Sequence, residues 1–291
     1  MDSYIVAGMK RSGQHAIINW ICEQHGNITH KNDCKLSTDG KKVVSSFGET
    51  VYGPGECLLL NLENYNAEAF RVLDAGKLED LAQYSERTYK VLVVRDMRNW
   101  VASCLARKSY AGKERDPYTQ LNKSYIDGQG IAHPPALVTY RGHIDALVGD
   151  SGHVLVIDYD KWVQDKDYRK VIAKILCLNF TDGGLNTISE FGNGSSFDNM
   201  AYNGRAQEMD VLNRYRYYNS DSEYSALMKE HAETLFLSDS YFGAPYKRKK
   251  LLIGRTFFGL GDWIMMYSAI KMLNIQYPEV QVDLDMAQIS D

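Results

Sequence analysis

Residues 8–15 read Gly8-Met9-Lys10-Arg11-Ser12-Gly13-Gln14-His15; the apolar run Tyr4-Ile5-Val6-Ala7 precedes them and Ala16-Ile17-Ile18-Asn19-Trp20 follows. A buried strand, a loop bounded by glycines and the start of a helix compose a cradle for an anion, because loop amides and the helix dipole both attract negative charge. Gly8 and Gly13 satisfy the first half of the nucleotide P-loop pattern, Gly-x-x-x-x-Gly. Gln14 and His15 occupy the positions where that pattern requires Lys and then Ser or Thr. In kinases and NTPases those two residues neutralise the terminal phosphates and ligate magnesium. Here the cations Lys10 and Arg11 lie inside the loop instead, an arrangement suited to a nucleotide with a short phosphate-type tail and no metal. The same turn also serves as a bare strand–helix connection, so the loop alone leaves both readings open.

The rest of the chain extends the alternation. Residues 57–61, 90–94 and 153–157 are further short apolar runs bounded by turn residues, and residues 16–24, 67–84 and 100–107 carry helical spacing. Continuously apolar strands alternating with helices predict an α/β fold, a parallel sheet flanked by helices on both faces. Residues 27–55 and 110–131 are polar and fit no element; such segments serve as lids or substrate loops, and equally as surface insertions. A helical stretch runs from Met209 through Leu237. After Lys247-Arg248-Lys249-Lys250 a fresh strand–glycine loop–helix–strand pattern begins at Leu251, dividing the chain into residues 1–245 and 246–291.

Composition narrows the class. The 291 residues are 44% hydrophobic and 24% charged, and a net charge of −4 argues against broad electrostatic binding of nucleic acid. The five cysteines are scattered with no Cys-x-x-Cys pair, which suits reduced thiols rather than a disulfide frame or a zinc site. No charged leader precedes a long apolar core, and Arg255 and Asp262 interrupt the apolar stretch near the C-terminus. A soluble, cytoplasmic protein with no membrane anchor is expected.

A second signal lies where the run Lys90-Val91-Leu92-Val93-Val94 ends in Arg95-Asp96-Met97-Arg98-Asn99-Trp100-Val101-Ala102-Ser103. Doubly wound sheets bind ligands at the carboxyl ends of their strands. An arginine there and a hydroxyl on the following helix can grip one phosphate from two sides. Taken alone, the pair also reads as a surface ion-pair residue and a helix serine.

Together the two segments resemble the sulfotransferases that use 3′-phosphoadenosine 5′-phosphosulfate (PAPS). Arg11-Ser12-Gly13-Gln14-His15 is similar to the family's Lys/Arg-Ser-Gly-Thr-Thr loop for the 5′ end of the donor. Arg95 to Ser103 keeps the spacing of its Arg-Asp-Pro-Arg-x-x-x-x-Ser segment for the 3′-phosphate. Gln14-His15 departs from the hydroxyl pair and leaves fewer donors for the sulfate end. Met97 replaces a proline that only stiffens the turn. Residues 153–160 look like a late strand ending in Tyr159, which the resemblance brings toward the adenine. Ser195-Ser196-Phe197 and Gly204-Arg205 look like the Ser-Phe segment and the basic residue near the 3′-phosphate. A sulfuryl donor has no γ-phosphate and needs no magnesium, which accounts for the missing Lys-Ser/Thr pair.

The resemblance implies a P-loop-like sulfotransferase fold over roughly residues 1–243, and an enzyme that moves a sulfuryl group from PAPS to a hydroxyl or amine, with no metal. The expected donor contacts are Lys10, Arg11, Ser12, Gly13, Gln14, His15, Arg95, Ser103, Tyr159 and Arg205. Arg11 is expected to stabilise the leaving phosphate electrostatically, since an arginine stays protonated. Glu63, just past the run 58–61, is the candidate base, and also reads as a solvated loop carboxylate; His15 and His133 are reserves. Two other readings compete: a nucleotide kinase with a degenerate loop, and a binding module that keeps the fold without the chemistry. From Leu251 the chain resembles the opening βαβ unit of heptosyltransferase-like glycosyltransferases, with Gly259-Leu260-Gly261-Asp262 as its loop. Forty residues cannot form that enzyme, so the expectation is a fused domain continuing past Asp291, and a carbohydrate acceptor with it; the alternative is a unit that packs on the sulfotransferase-like part as a structural appendage.

Overall fold

Backbone amides of fully buried apolar runs need partners that water cannot supply, and the runs find them in one another. The computed structural model describes residues 2–37, 39–82, 87–106, 109–110, 113–114, 116–126, 132–149, 152–191, 194–243, 249–254 and 280–285. The chain divides into two compact units, Met1–Asn219 and Ser220–Asp291.

Six strands form the main sheet of the first unit: β1 (Asp2–Gly8), β2 (Ile28–Lys31), β3 (Glu49–Tyr52), β4 (Cys57–Glu63), β5 (Arg87–Val94) and β6 (Val154–Asp158). Their order is β6-β5-β1-β4-β2-β3, and all neighbours are parallel except β2 and β3. The registers align Gly8 with both Glu63 and Val93, and Val94 with Asp158. The loop after β1, the end of β4, Arg95 and Tyr159 therefore emerge at one carboxyl edge.

The helices of this unit are α1 (Gln14–His25), α2 (Ala67–Val72), α3 (Met97–Leu105), α4 (Ala136–Val148), α5 (Tyr159–Gln164) and α6 (Lys166–Ile175). Tyr4, Val6, Leu59, Val91, Val93 and Ile157 make one core with Ile17, Ile18 and Ile21 of α1, Trp162 of α5 and Ile172 of α6. Each large apolar side chain buried in this way stabilises the fold by about 1.5–3 kcal/mol. On the opposite face Lys90 of β5 donates through Nζ to the carbonyls of Phe70, Arg71 and Leu73, at 3.1, 2.8 and 3.0 Å. This satisfies the orphan carbonyls at the end of α2. The α/β architecture with a mostly parallel sheet is thus as the alternation predicts.

Four segments differ from their sequence reading, one of them the helix expected from Met209, where a 3₁₀ turn at Arg214–Tyr218 comes first and the helix begins only at Ser222. Residues 27–55 contain β2 and β3, which apolar patterning misses because β2 is four residues long and buries Thr29 and His30 among its members. Residues 67–84 do not form one helix: α2 stops at Val72, and the Asp74 carboxylate accepts from the Gly76 amide at 3.1 Å to begin a 3₁₀ turn instead. Residues 110–131 include a short helix, Pro117–Asn122, capped by Asp116.

In the second unit Asp221 caps α7 (Ser222–Glu230), accepting from the Tyr224 amide at 2.9 Å, and α8 (Ala232–Phe242) follows. Strands β7 (Lys249–Gly254) and β8 (Val280–Asp285) pair in parallel. The glycine loop and helix expected between them lie outside the described residues. Among the described residues no helix is long and apolar enough to cross a membrane.

Candidate active site

Gly8 ends β1, and a Cβ there would meet Gln14 Oε1 at 2.6 Å and Ser12 Oγ at 3.0 Å, so a larger residue would have to push these side chains aside. The loop then turns through Arg11 at φ 69° and Gly13 at φ 88°. Its shape is held from both sides. The Lys10 amide donates to Asn64 Oδ1 at 2.9 Å, and Trp100 Nε1 of α3 donates to the Lys10 carbonyl at 2.8 Å. Gly13 caps α1 with no side-chain hydrogen bond, and the first turn of α1 holds no acidic residue. Its amides and dipole therefore face the loop unneutralised. The Ser12 hydroxyl is buried and without a partner among the described residues.

Arg95 leaves β5 beside this loop with only 2% of its surface exposed. Nη1 donates to Ser103 Oγ at 3.0 Å and to the Arg11 carbonyl at 3.2 Å, and Nη2 donates to the Val211 carbonyl. Nε has no hydrogen-bond partner among the described residues, and Asp160 Oδ1 lies 3.9 Å away. Burial, followed by the charge of Asp96, pushes the Asp160 carboxyl well above the usual carboxylate range. Tyr159 packs its ring where a Cβ of Gly13 would stand, 5.2 Å from the Arg95 guanidinium. Met97 opens α3 directly after Asp96, whose carboxylate accepts from the Asn99 amide at 3.0 Å. That first helical position is one where proline is also favoured.

Residues 194–215 return to the same neighbourhood. Arg11 Nη1 reaches the Gly194 carbonyl at 3.4 Å, and Asn99 Nδ2 donates to the Leu212 carbonyl at 2.7 Å. Arg214 donates to Ser195 Oγ at 2.8 Å and Asp198 Oδ2 at 3.0 Å, over the ring of Phe197. Burial and then the Arg95 charge draw its guanidinium down to about 10. The two buried guanidiniums repel one another, and Asp198 offsets the charge of Arg214.

The opposite side of the loop is built on Glu63. Oε1 accepts from Gln14 Nε2 and His15 Nε2, each at 3.0 Å, and Oε2 lies 3.4 Å from Lys10 Nζ. Burial would raise this carboxyl, but the hydrogen bond and charge of His15, with Lys10, outweigh it and hold Glu63 at about 2. So weak a base accepts protons poorly at neutral pH. What Glu63 does is fix the ring: its carboxylate engages Nε2 and turns Nδ1 the other way. His15 Nδ1 is buried and unpartnered among the described residues. The His15 ring lies 6.0 Å from Phe191 and 6.4 Å from His30.

The fold thus gathers Lys10, Arg11, Ser12, Gly13, Gln14, His15, Glu63, Arg95, Ser103 and Tyr159. It does not bring Arg205 among them: that side chain pairs with Glu208 at 3.2 Å, lies over Tyr202 and is 58% exposed. Arg214 is the buried arginine of this segment, and sequence reading missed it because Gly204-Arg205 offers the more familiar pair. His133 belongs to a two-residue strand, Ala132–His133. Among the described residues no group of three or more His, Cys, Asp or Glu is arranged to hold a metal ion. Compared with known proteins, the chain matches no family model and no curated protein.

Proposed function

We propose that the protein transfers a sulfuryl group from PAPS to a hydroxyl acceptor, most simply one on a carbohydrate, on a P-loop-like sulfotransferase fold. The observation that carries this reading is the 3.0 Å contact between Arg95 and Ser103, joined by Arg95 Nη1 to the backbone of a loop that lacks the Lys-Ser/Thr pair. The donor set fits the group: the uncapped start of α1 and the idle Ser12 hydroxyl suit its 5′ end. Arg95, Ser103 and the buried Arg214 suit its 3′-phosphate. The donor, when bound, supplies an activated sulfuryl group on a phosphate leaving group.

The chain's own residues do the rest. Arg11 keeps a permanent positive charge at the loop, where negative charge develops. His15 takes the acceptor's proton at Nδ1, and Glu63 is a positioning residue that orients the ring through Nε2. The pattern after Lys250 supports a sugar acceptor, since fused domains often serve one pathway. One observation favours a second reading, a binding module without chemistry: Val211 and Tyr159 already engage Arg95 and Gly13 from within the chain.

Calorimetric titration with adenosine 3′,5′-bisphosphate in the presence of chelator, and separately with ATP and magnesium, tests the reading. Tight metal-free binding of the bisphosphate is expected. Binding of ATP only with magnesium would favour a nucleotide kinase and overturn it. Sulfate transfer from PAPS to a panel of glycans then separates enzyme from binding module.

A further inference from the structure

Buried polar atoms in folded proteins nearly always have partners, so a concentration of idle ones is informative. Gln14 Oε1, His15 Nδ1, Asn61 Oδ1 and both ring nitrogens of His30 are buried with no hydrogen-bond partner among the described residues. All belong to the start of α1 and to the carboxyl halves of β2 and β4. His30 pairs with Leu59 across the two strands, which puts it on the same face as Asn61 two residues on. Asn61 is fixed by its amide, which donates to Asn32 Oδ1 at 2.8 Å and leaves its carbonyl oxygen idle. His30 is 1% exposed, and Phe191 lies edge-on to it at 5.3 Å and nearly parallel to His15.

We infer that His30, Asn61 and Gln14 form a recognition subsite for a polyhydroxylated acceptor, beside the base His15 and against the aromatic face of Phe191. The inference deepens the sulfuryl-transfer reading and rests on it for the role of His15. The chemistry of the idle atoms selects the ligand class. Gln14 Oε1 and Asn61 Oδ1 can only accept, and a neutral imidazole offers one donor and one acceptor. Burial, and then the charge of His15, pull His30 down to about 3, so the imidazole stays neutral. A ligand that satisfies the set brings several hydroxyls, each able to donate and accept, on a ring with apolar C–H faces for Phe191. A phenol or a monohydroxy steroid has a single hydroxyl, which His15 engages; the remaining atoms then stay buried and unpaired. Sites built to bond a hydroxyl reject analogues that lack it.

The test uses the full chain with ¹⁵N-labelled histidines, saturated with adenosine 3′,5′-bisphosphate. Methyl β-D-glucoside and methyl β-D-galactoside are the probes, with cyclohexanol as the single-hydroxyl ring control. At least one glycoside is expected to shift the His30 ring nitrogens, and cyclohexanol is not. His30→Leu is expected to weaken that glycoside about tenfold while bisphosphate affinity stays unchanged, and to raise the thermal midpoint of the free protein, because idle polar atoms give way to apolar ones. His30→Gln keeps a donor and an acceptor and is expected to retain the glycoside within about threefold. Equal response to cyclohexanol, or a lowered midpoint in His30→Leu with glycoside affinity intact, would overturn the subsite. So would bisphosphate binding with no glycoside effect at His30, and the donor reading would survive it. A glycoside shift at His30 without bisphosphate binding would leave the subsite standing and sink the sulfuryl-transfer reading.

Discussion

On the α3 side of the loop, Arg95 donates to Ser103, Arg11 and Val211 and is covered by Tyr159; on the α1 side, His30 and Asn61 sit equally deep with polar atoms that bond nothing among the described residues. Both regions are buried and polar, yet the Arg95 guanidinium keeps only Nε unpaired among the described residues, whereas neither ring nitrogen of His30 is bonded there. A closed network holds fixed geometry around charge that is always the same, as in a nucleotide's phosphates. An open one lowers stability until a ligand completes it, and so ties occupancy to the right hydroxyl pattern.

Removing the centre of the closed network is expected to have the largest effect. Arg95→Ala strands the Arg11 and Val211 carbonyls and should destabilise the protein by about 3–5 kcal/mol, read by urea unfolding. A loss below about 1 kcal/mol would mean that the network does not hold the fold, and the contrast between the two sides would vanish. Arg11→Ala comes next. Turnover with PAPS is expected to fall about 10²–10³-fold, with far less change in affinity for adenosine 3′,5′-bisphosphate.

Glu63→Gln probes the boundary between the regions. Its carboxyl is held at about 2, below the ordinary glutamate range, so its ionised form stabilises the folded state. That contribution is complete above the ordinary range and is lost as pH falls toward 2. The variant should lose about 2 kcal/mol at neutral pH and show a flatter unfolding free energy between about pH 5 and 2. A profile parallel to the parent protein's would show that the Glu63 cluster does not form. Ser103→Ala should have the smallest effect: about tenfold weaker adenosine 3′,5′-bisphosphate, close to 1.4 kcal/mol, with adenosine 5′-phosphate unaffected. Equal weakening of both nucleotides would reduce Ser103 to a support for Arg95.

The closed side was the more legible in sequence, because its parts are local. Gly8 to Gly13 lies between a strand and a helix, and Arg95 and Ser103 are eight residues apart on a strand end and the next helix. Arg214 was not legible, since its place depends on residues 194–215 returning to the loop. On the open side Glu63 and His15 were found singly, but their mutual contact, which makes one the orienter of the other, spans 48 positions. His30 was invisible: β2 is four residues long, shows no apolar alternation, and buries a histidine where a strand pattern calls for Val or Ile.

Trp100 stacks on Tyr140 with ring centroids 4.5 Å apart while its indole N–H holds the Lys10 carbonyl. Indole emission responds to both the stacking partner and the N–H bond, so the loop carries an optical reporter at its own backbone. Trp20 and Trp162 pair edge-on in the core, 5.9 Å apart, and Trp162 also stacks on Tyr159, whose ring lies against Gly13. Any event that rearranges residues 9–13 changes the environment of Trp100, and a Trp100→Phe variant, which keeps the other three tryptophans, supplies the blank for stopped-flow recording of loop motion.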